Sequence, residues 1–192
     1  SYKDQNGYTK YVDVNHDGML DEEDVVYLGC SDPIVYGGFS NDFVIAKRLK
    51  VGIYFAYSLG GQMYNLSELW LGTGSSSYNK YRYMLDAWTP DNPDSDIPAP
   101  YREDLYGCSR FIHDASYLRL KTVSIDYNIP LPKKAMKVLK ELTVGVTGEK
   151  LYLWKRYNGF DPDVNTSSAV YRLDNGSFPR PRTIIGKVSF RF

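Results

Sequence analysis

Oxygen-bearing side chains recur at every second position in one short stretch, YVDVNHDGMLDEEDVV. Asp13, Asn15 and Asp17 alternate, Gly18 supplies a sharp turn, Met19 a main-chain carbonyl, and Asp21 and Asp24 follow at wider spacing. These residues stand at the first, third, fifth, sixth, seventh, ninth and last positions of a calcium loop of ~12 residues. Calcium takes ~6–8 hard oxygen ligands in flexible geometry, and a loop of this spacing gathers them around one point. The spacing therefore predicts a Ca2+ site made by Asp13, Asn15, Asp17, Met19, Asp21 and Asp24. The last ligand is Asp rather than Glu, which shortens its bidentate reach. YTKYV before the loop reads as a strand, and EEDVVYL after it as one helical turn at most. The paired helices of a calcium sensor are therefore not expected. A solvated acidic turn is the competing account, since Asp-Gly is a turn dipeptide in its own right.

Catalytic chemistry finds little support elsewhere. The only histidines are His16, at a non-ligand position of that loop, and His113, in a loop beside Asp114. Neither stands near a nucleophile motif, and a zinc site would need more His or Cys. Asp161 and Asp163 in FDPDVN resemble an acid/base pair, but two Asp in a proline turn are far more often structural or cation-binding. GTGSSS lacks the lysine and the preceding strand of a phosphate loop. No enzyme activity is expected. Cys30 and Cys108 lack metal-ligand spacing, and their separation leaves a disulfide open. Trp70, Tyr78, Tyr81, Tyr83, Trp88 and Tyr101 could stack on sugars; packing of their own long loop is the favoured account, because such a loop needs a small core to be ordered.

The positioning elements are strands. Of 192 residues, 23 are Lys or Arg and 23 Asp or Glu, a balance that argues against a nucleic-acid partner. Tyrosine is abundant at 18 copies, and aromatics make up 15%, which suits a β-rich protein with interfacial tyrosines. No apolar run approaches the ~20 residues of a spanning helix, so a membrane crossing would have to use strands. The opening SYKDQNGY has no initiator Met and no signal-type apolar run, as expected of a processed product or a fragment. IVYGGFSNDFVI alternates, and LKVGIYFAYSLGG alternates again after the short basic turn AKRLK, giving a hairpin long enough to cross a bilayer. SYLRLKTVSIDYNIP alternates in its later half only; the break at Leu118–Lys121 implies a bulge or a segment above the membrane. LTVGVTGEKLYLW and RTIIGKVSFRF alternate too, the last with Ile184, Gly186, Val188, Phe190 and Phe192 on one face.

The connections alternate as well. An acidic loop, the very long run at 62–116 and the run at 154–181 fall on one side. The KRLK turn and the proline-led, lysine-rich PLPKKAMKVLKE, read as a short helix, fall on the other. In the long run, MYNLSELWLG and YRYMLDAW suggest short helices, GTGSSSYN reads as flexible, and WTPDNPDSDIPAP continues neither strand nor helix. Loops beyond ~12–15 residues are rare in compact domains but usual on the extracellular side of a barrel, where periplasmic turns are short. The fold class expected is all-β membrane protein. Five strands cannot close a barrel, for which ~8 is the minimum, so the chain should be part of something larger. The expected layout is a calcium-type extracellular loop at 1–33, a barrel hairpin at 34–61, a long extracellular loop at 62–116, a hairpin with a short periplasmic helix at 117–153, an extracellular loop at 154–181 and a closing strand at 182–192.

The motifs YVDVNHDGMLDEED, WTPDNPDSDIPAP, SRFIHDASYLRLKTVSIDYNIP, LTVGVTGEKLYLWKRYNGFDPDVN and DNGSFPRPRTIIGKVSFRF, in this order, resemble the C-terminal part of the SusC/RagA-type TonB-dependent outer-membrane transporters. The resemblance covers nearly the whole chain. It implies a plugged barrel of about 22 strands in the bacterial outer membrane, powered by the TonB complex through a missing N-terminal part. It also implies a SusD-like surface lipoprotein as lid, and import of oligosaccharides or peptides. Phe192 resembles the aromatic that barrel-assembly machinery reads. The chain departs from the family at Glu149-Lys150, where Gln-Asn is common, and at Asp114-Ala115, where Asp-Gly is usual. A secreted β-sandwich glycan-binding module with a dockerin-like calcium loop is the alternative; it would fold alone and stay soluble.

Overall fold

A computed structural model of the chain describes residues 3–74, 77–101, 108–164 and 172–192. Part of GTGSSSYN, and parts of the runs at 62–116 and 154–181, lie outside the described residues. The strands are β1 (Val35–Ile45), β2 (Leu49–Leu59), β3 (Gln62–Asn65), β4 (Ile112–Asp114), β5 (Tyr117–Asn128), β6 (Glu141–Lys155), β7 (Leu173–Asp174) and β8 (Thr183–Arg191), and α1 spans Leu66–Leu71. Five strands form one antiparallel sheet in the order β1-β2-β5-β6-β8. These are the five alternating runs of the sequence. The 11 residues of β2, at ~3.3 Å each and tilted ~45°, rise ~25 Å, the height of the apolar band of an outer-membrane barrel.

Register explains the phase break in SYLRL. Tyr54 and Phe55 are adjacent in β2, while their partners Thr122 and Leu120 are separated by Lys121 in β5. The same Leu120 and Thr122 face Tyr152 and Glu149 of β6, which has two residues in between. The insertion thus grows from none to one to two across neighbouring strands. One extra residue reverses the side on which all later side chains fall; two restore it. Lys121 therefore returns Leu118 and Leu120 to the face of Val123, Ile125 and Tyr127, while β6 keeps Val144, Val146, Tyr152 and Trp154 in phase.

Two units divide the chain: a loop unit of Ser1–Asp32, Gly61–Asp114 and Asp163–Ser177, and a wall unit of Pro33–Gly60, Ala115–Pro162 and Phe178–Phe192. The loop unit holds a small core of Met63, Ala87, Ala99, Cys108 and Phe111. It is organised by a three-stranded sheet in the order β4-β3-β7, in which β3 pairs antiparallel with β4 and parallel with β7. That sheet has no counterpart in the sequence expectations. Asn65 starts α1 by accepting the Glu68 N–H at 3.0 Å, the local bond that favours Asn at a helix N-cap. Arg82–Asp86 is a 3-10 helix rather than an α-helix.

Three expectations need correction or narrowing. YTKYV is not a strand; an isolated bridge between Lys3 and Thr9 is the only β pairing among the described residues there, because no second strand lies alongside. The periplasmic helix of the β5–β6 connection is a single 3-10 turn at Ala135–Lys137: prolines at 130 and 132 leave too few residues for an α-helix to nucleate. Cys30 and Cys108 are both free thiols, the first exposed and the second buried.

Candidate cation loop and membrane-facing wall

All six predicted ligand residues lie in one exposed turn of the loop unit, closed by a 3-10 helix at Glu22–Asp24. Their carboxyl and amide oxygens turn onto the loop's own backbone. Asp13 accepts the N–H groups of His16 at 2.6 Å and Gly18 at 2.9 Å. Asn15 accepts from Asp17 at 3.1 Å, Asp17 from Met19 at 2.7 Å, and Asp21 from Glu23 at 2.9 Å. Asp24 ties the two ends together, accepting Val14 N–H at 2.6 Å and Asp21 N–H at 3.1 Å. Those bonds, the one from Val14 foremost, hold the Asp24 carboxyl below the usual carboxylate range. Gly18 has φ 84° with open space where a Cβ would be, so backbone conformation rather than crowding demands glycine there.

The donors suit a hard cation in kind, all being oxygen. Among the described residues, no three His, Cys, Asp or Glu side chains converge at metal-holding distance. Each carboxylate has about four lone-pair sites, so one or two N–H bonds leave acceptor capacity at Asp13, Asp17, Asp21 and Asp24.

The wall unit presents two unlike faces. Cross-strand partners Phe39, Phe55, Leu120 and Tyr152 lie on one, as do Phe43, Val51, Ile125, Val146 and Ile45, Leu49, Tyr127, Val144, Val188. Aromatics mark this face near the long connections: Phe39 stacks on Phe55 with centroids 4.9 Å apart, and Tyr152 lies 4.6 Å from Trp154. Nothing described covers them. Phe43 is 51% exposed, Ile125 41%, Val146 44% and Val188 60%, although Ile125 and Val146 stand on the interior strands β5 and β6, where a soluble sandwich would bury them. The opposite face carries Ser40, Asp42, Lys50, Ser124, Asp126, Thr143, Thr147 and Lys187. Gly145, between Asp126 and Lys187 in register, leaves room for the Asp126 carboxylate to lie over it, where Lys187 reaches it at 2.9 Å.

Of the two carboxylates in FDPDVN, Asp161 is engaged in a buried ion pair. It belongs to the wall unit, where it meets Arg119 at 2.5 Å with side-chain exposures of 4% and 7%. Lys155 Nζ donates to the carbonyls of Tyr157, at 3.0 Å, and Gly159, fixing the turn that brings Asp161 back to β5. No local sequence signal announces this pair, because Arg119 occupies an ordinary polar-face position of its strand. In the loop unit His113 Nε2 lies 2.6 Å from Glu68 Oε2, joining β4 to α1. The long-loop aromatics pack mainly on one another: Trp70 edge-on to Tyr78, Tyr81 stacked on Tyr83. Burial, with Glu68 adding to it, pushes the Tyr83 phenol up to about 12, so it is neutral at physiological pH and serves packing. Tyr78 and Tyr101 stay exposed beside a 670 Å3 cleft that also takes in Lys80 and Arg82.

An antiparallel sheet of bilayer-spanning strands, apolar and uncovered on one side and polar on the other, is a section of transmembrane β-barrel wall. No family model matches the chain. Among curated proteins it is 35% identical over 187 residues to TonB-dependent receptor P26 of Formosa agariphila, covering 93% of this chain and 19% of the relative. It is 31% identical over 189 residues to TonB-dependent receptor P3 of the same organism, covering 95% and 19%. The chain is thus a portion of a TonB-dependent receptor of the bacterial outer membrane, of the SusC/RagA type. It spans about a fifth of the length of the curated relatives it matches. Among solved structures it resembles the RagAB peptide importer in its open-open state, with TM-score 0.73 and 25% identity over 85% of this chain and 18% of that one. It also shares the fold of the RagAB peptide transporter, with TM-score 0.78 and 23% identity over 98% and 22%.

Proposed function

We propose that the protein containing this chain imports oligosaccharides or peptides across the outer membrane, driven by the TonB complex. In that role these residues are non-catalytic. The wall unit forms lipid-facing barrel wall, and the long connections shape the extracellular mouth beneath a SusD-like surface lipoprotein. The uncovered apolar face of a sheet of spanning length is the observation that carries the reading, and the 35% identity to a TonB-dependent receptor supports it. The sandwich alternative fares worse, because the apolar side chains it would bury stay exposed among the described residues. The test is uptake of fluorescent peptide and oligosaccharide pools by cells with and without the full-length gene, with and without TonB. Gene- and TonB-dependent accumulation of either pool is expected; identical uptake in all strains would refute the importer.

Calcium at Asp13, Asn15, Asp17, the Met19 carbonyl, Asp21 and Asp24 rigidifies the loop in this proposal. The all-oxygen donor set and the spare acceptor sites support it, and bound calcium would contribute charge neutralisation among clustered carboxylates. Chelation should lower the melting temperature of the full-length protein, and the double variant Asp13→Ala, Asp17→Ala should no longer respond to it. An unchanged melting curve on chelation would remove calcium from the account.

A further inference from the structure

The two short connections of the wall carry cations and no acids, and the carboxylate that begins β6 beside them, Glu141, is engaged by Asn128 at 2.7 Å and Arg191 at 3.8 Å. Residues 46–48 join β1 to β2, and residues 129–140 join β5 to β6; neither segment contains Asp or Glu. The two connections are neighbours, because β2 pairs with β5 and the Asn128 N–H donates to the Arg48 carbonyl at 2.9 Å. Lys47, Arg48, Lys133, Lys134 and Lys137 are all exposed. Among the described residues none of the five has a carboxylate within ion-pair distance. Lys47 holds its place at φ 59°, a left-handed turn position that Asn or Gly fills at less cost. Met136 and Val138, 53% and 72% exposed, lie among the lysines of the second connection. The lipid-facing side of the wall at this end carries Phe43, Ile45 and Phe190, each more than half exposed. Cations above an apolar band are the pattern that attracts anionic headgroups while acyl chains meet the wall. Short connections are periplasmic in outer-membrane barrels, where the facing leaflet is phospholipid.

We propose that this end of the wall docks anionic phospholipid of the periplasmic leaflet, its phosphodiester held by Lys47, Arg48, Lys133, Lys134 and Lys137. The charge complementarity and the continuity with the lipid-facing side select this occupant over an acidic periplasmic protein. The proposal rests on the barrel orientation but on neither import nor calcium.

The experiment uses the full-length protein in mild detergent and native mass spectrometry. Phosphatidylglycerol, phosphatidylethanolamine and lipid A are added separately at equal concentration. The wild type should retain phosphatidylglycerol at least about fivefold over phosphatidylethanolamine. The triple variant Lys133→Gln, Lys134→Gln, Lys137→Gln should bring the ratio near one, and the corresponding arginine variant should keep it. Lipid A shares the phosphate chemistry but belongs to the other leaflet, so its retention should not change in the glutamine variant. Equal retention of both phospholipids by the wild type would overturn the proposal, as would loss of lipid A binding alone, or an acidic periplasmic protein co-purifying in place of any lipid preference. If the glutamine variant fails to assemble, wild-type retention in salt decides: a preference that persists at ~1 M salt is not electrostatic and overturns it too. A full-length protein absent from the detergent-extracted outer membrane would instead refute the barrel orientation, a distinguishable failure.

Discussion

Lys150 adopts φ 54° inside β6, where the second inserted residue opposite Lys121 accumulates. A long side chain in the left-handed region is disfavoured, whereas Asn tolerates it through its short polar side chain. The Glu149-Lys150 departure noted in the sequence therefore has a conformational meaning. Lys150→Asn should stabilise the full-length barrel by about 0.5 kcal/mol and Lys150→Val destabilise it by roughly 1 kcal/mol. Both are read from the temperature at which the compact band shifts on SDS gels. Asp24 gives a pH dependence of its own. Its folded pKa lies below the unfolded value because Val14 N–H, and then Asp21 N–H, bond to the carboxylate. The stabilisation is therefore fully present above the ordinary carboxylate pKa and is lost as pH falls through the lowered value. Exchange protection of the Val14 and Asp21 amides, corrected for intrinsic rates, should hold from neutrality to about pH 5 and decline below the usual ~3.9 of Asp. In Asp24→Asn it should start lower and stay flat.

Among the elements, long strands were legible and short ones were not. Runs such as Leu49–Leu59 show their period several times over, and even the bulge at Lys121 was visible as a break in it. The strands β3, β4 and β7 have 4, 3 and 2 residues, too few for a period to appear, and the parallel pairing of Tyr64–Asn65 with Leu173–Asp174 joins segments far apart in the chain. YTKYV failed in the opposite way, having strand composition without a partner. The candidate loop was legible from spacing, but its hydrogen bonds to backbone N–H groups were not. Nor was the Arg119–Asp161 pair, which depends on the turn at 156–160 folding back on β5. Both side chains are almost fully buried, so truncating one strands the other charge. Arg119→Ala should cost the full-length barrel roughly 3 kcal/mol, while Arg119→Met with Asp161→Leu should recover most of that loss. Equal losses in the single and double variants would mean that packing, not charge pairing, matters at this position.

For the whole molecule the decisive quantity is where the apolar surface goes. The loop unit has its own core around Met63 and Phe111, whereas the wall unit buries few large apolar side chains: Phe43, Ile125, Val188, Phe190 and Ile184 are 41–77% exposed. A sheet in water cannot leave such a face open, since each large side chain forgoes part of the ~1.5–3 kcal/mol its burial would contribute, and the free edges of β1 and β8 invite further pairing. Within lipid the same face is solvated and the edges join neighbouring strands. The 192 residues expressed alone should therefore aggregate in aqueous buffer, while the full-length protein partitions into the outer membrane and dissolves only with detergent. Sedimentation velocity of the refolded chain in detergent-free buffer is the discriminating measurement. A monodisperse monomer with β-type circular dichroism would mean that Phe43, Ile125 and Val188 find cover within these residues, which is the arrangement a soluble sandwich requires and an outer-membrane wall does not.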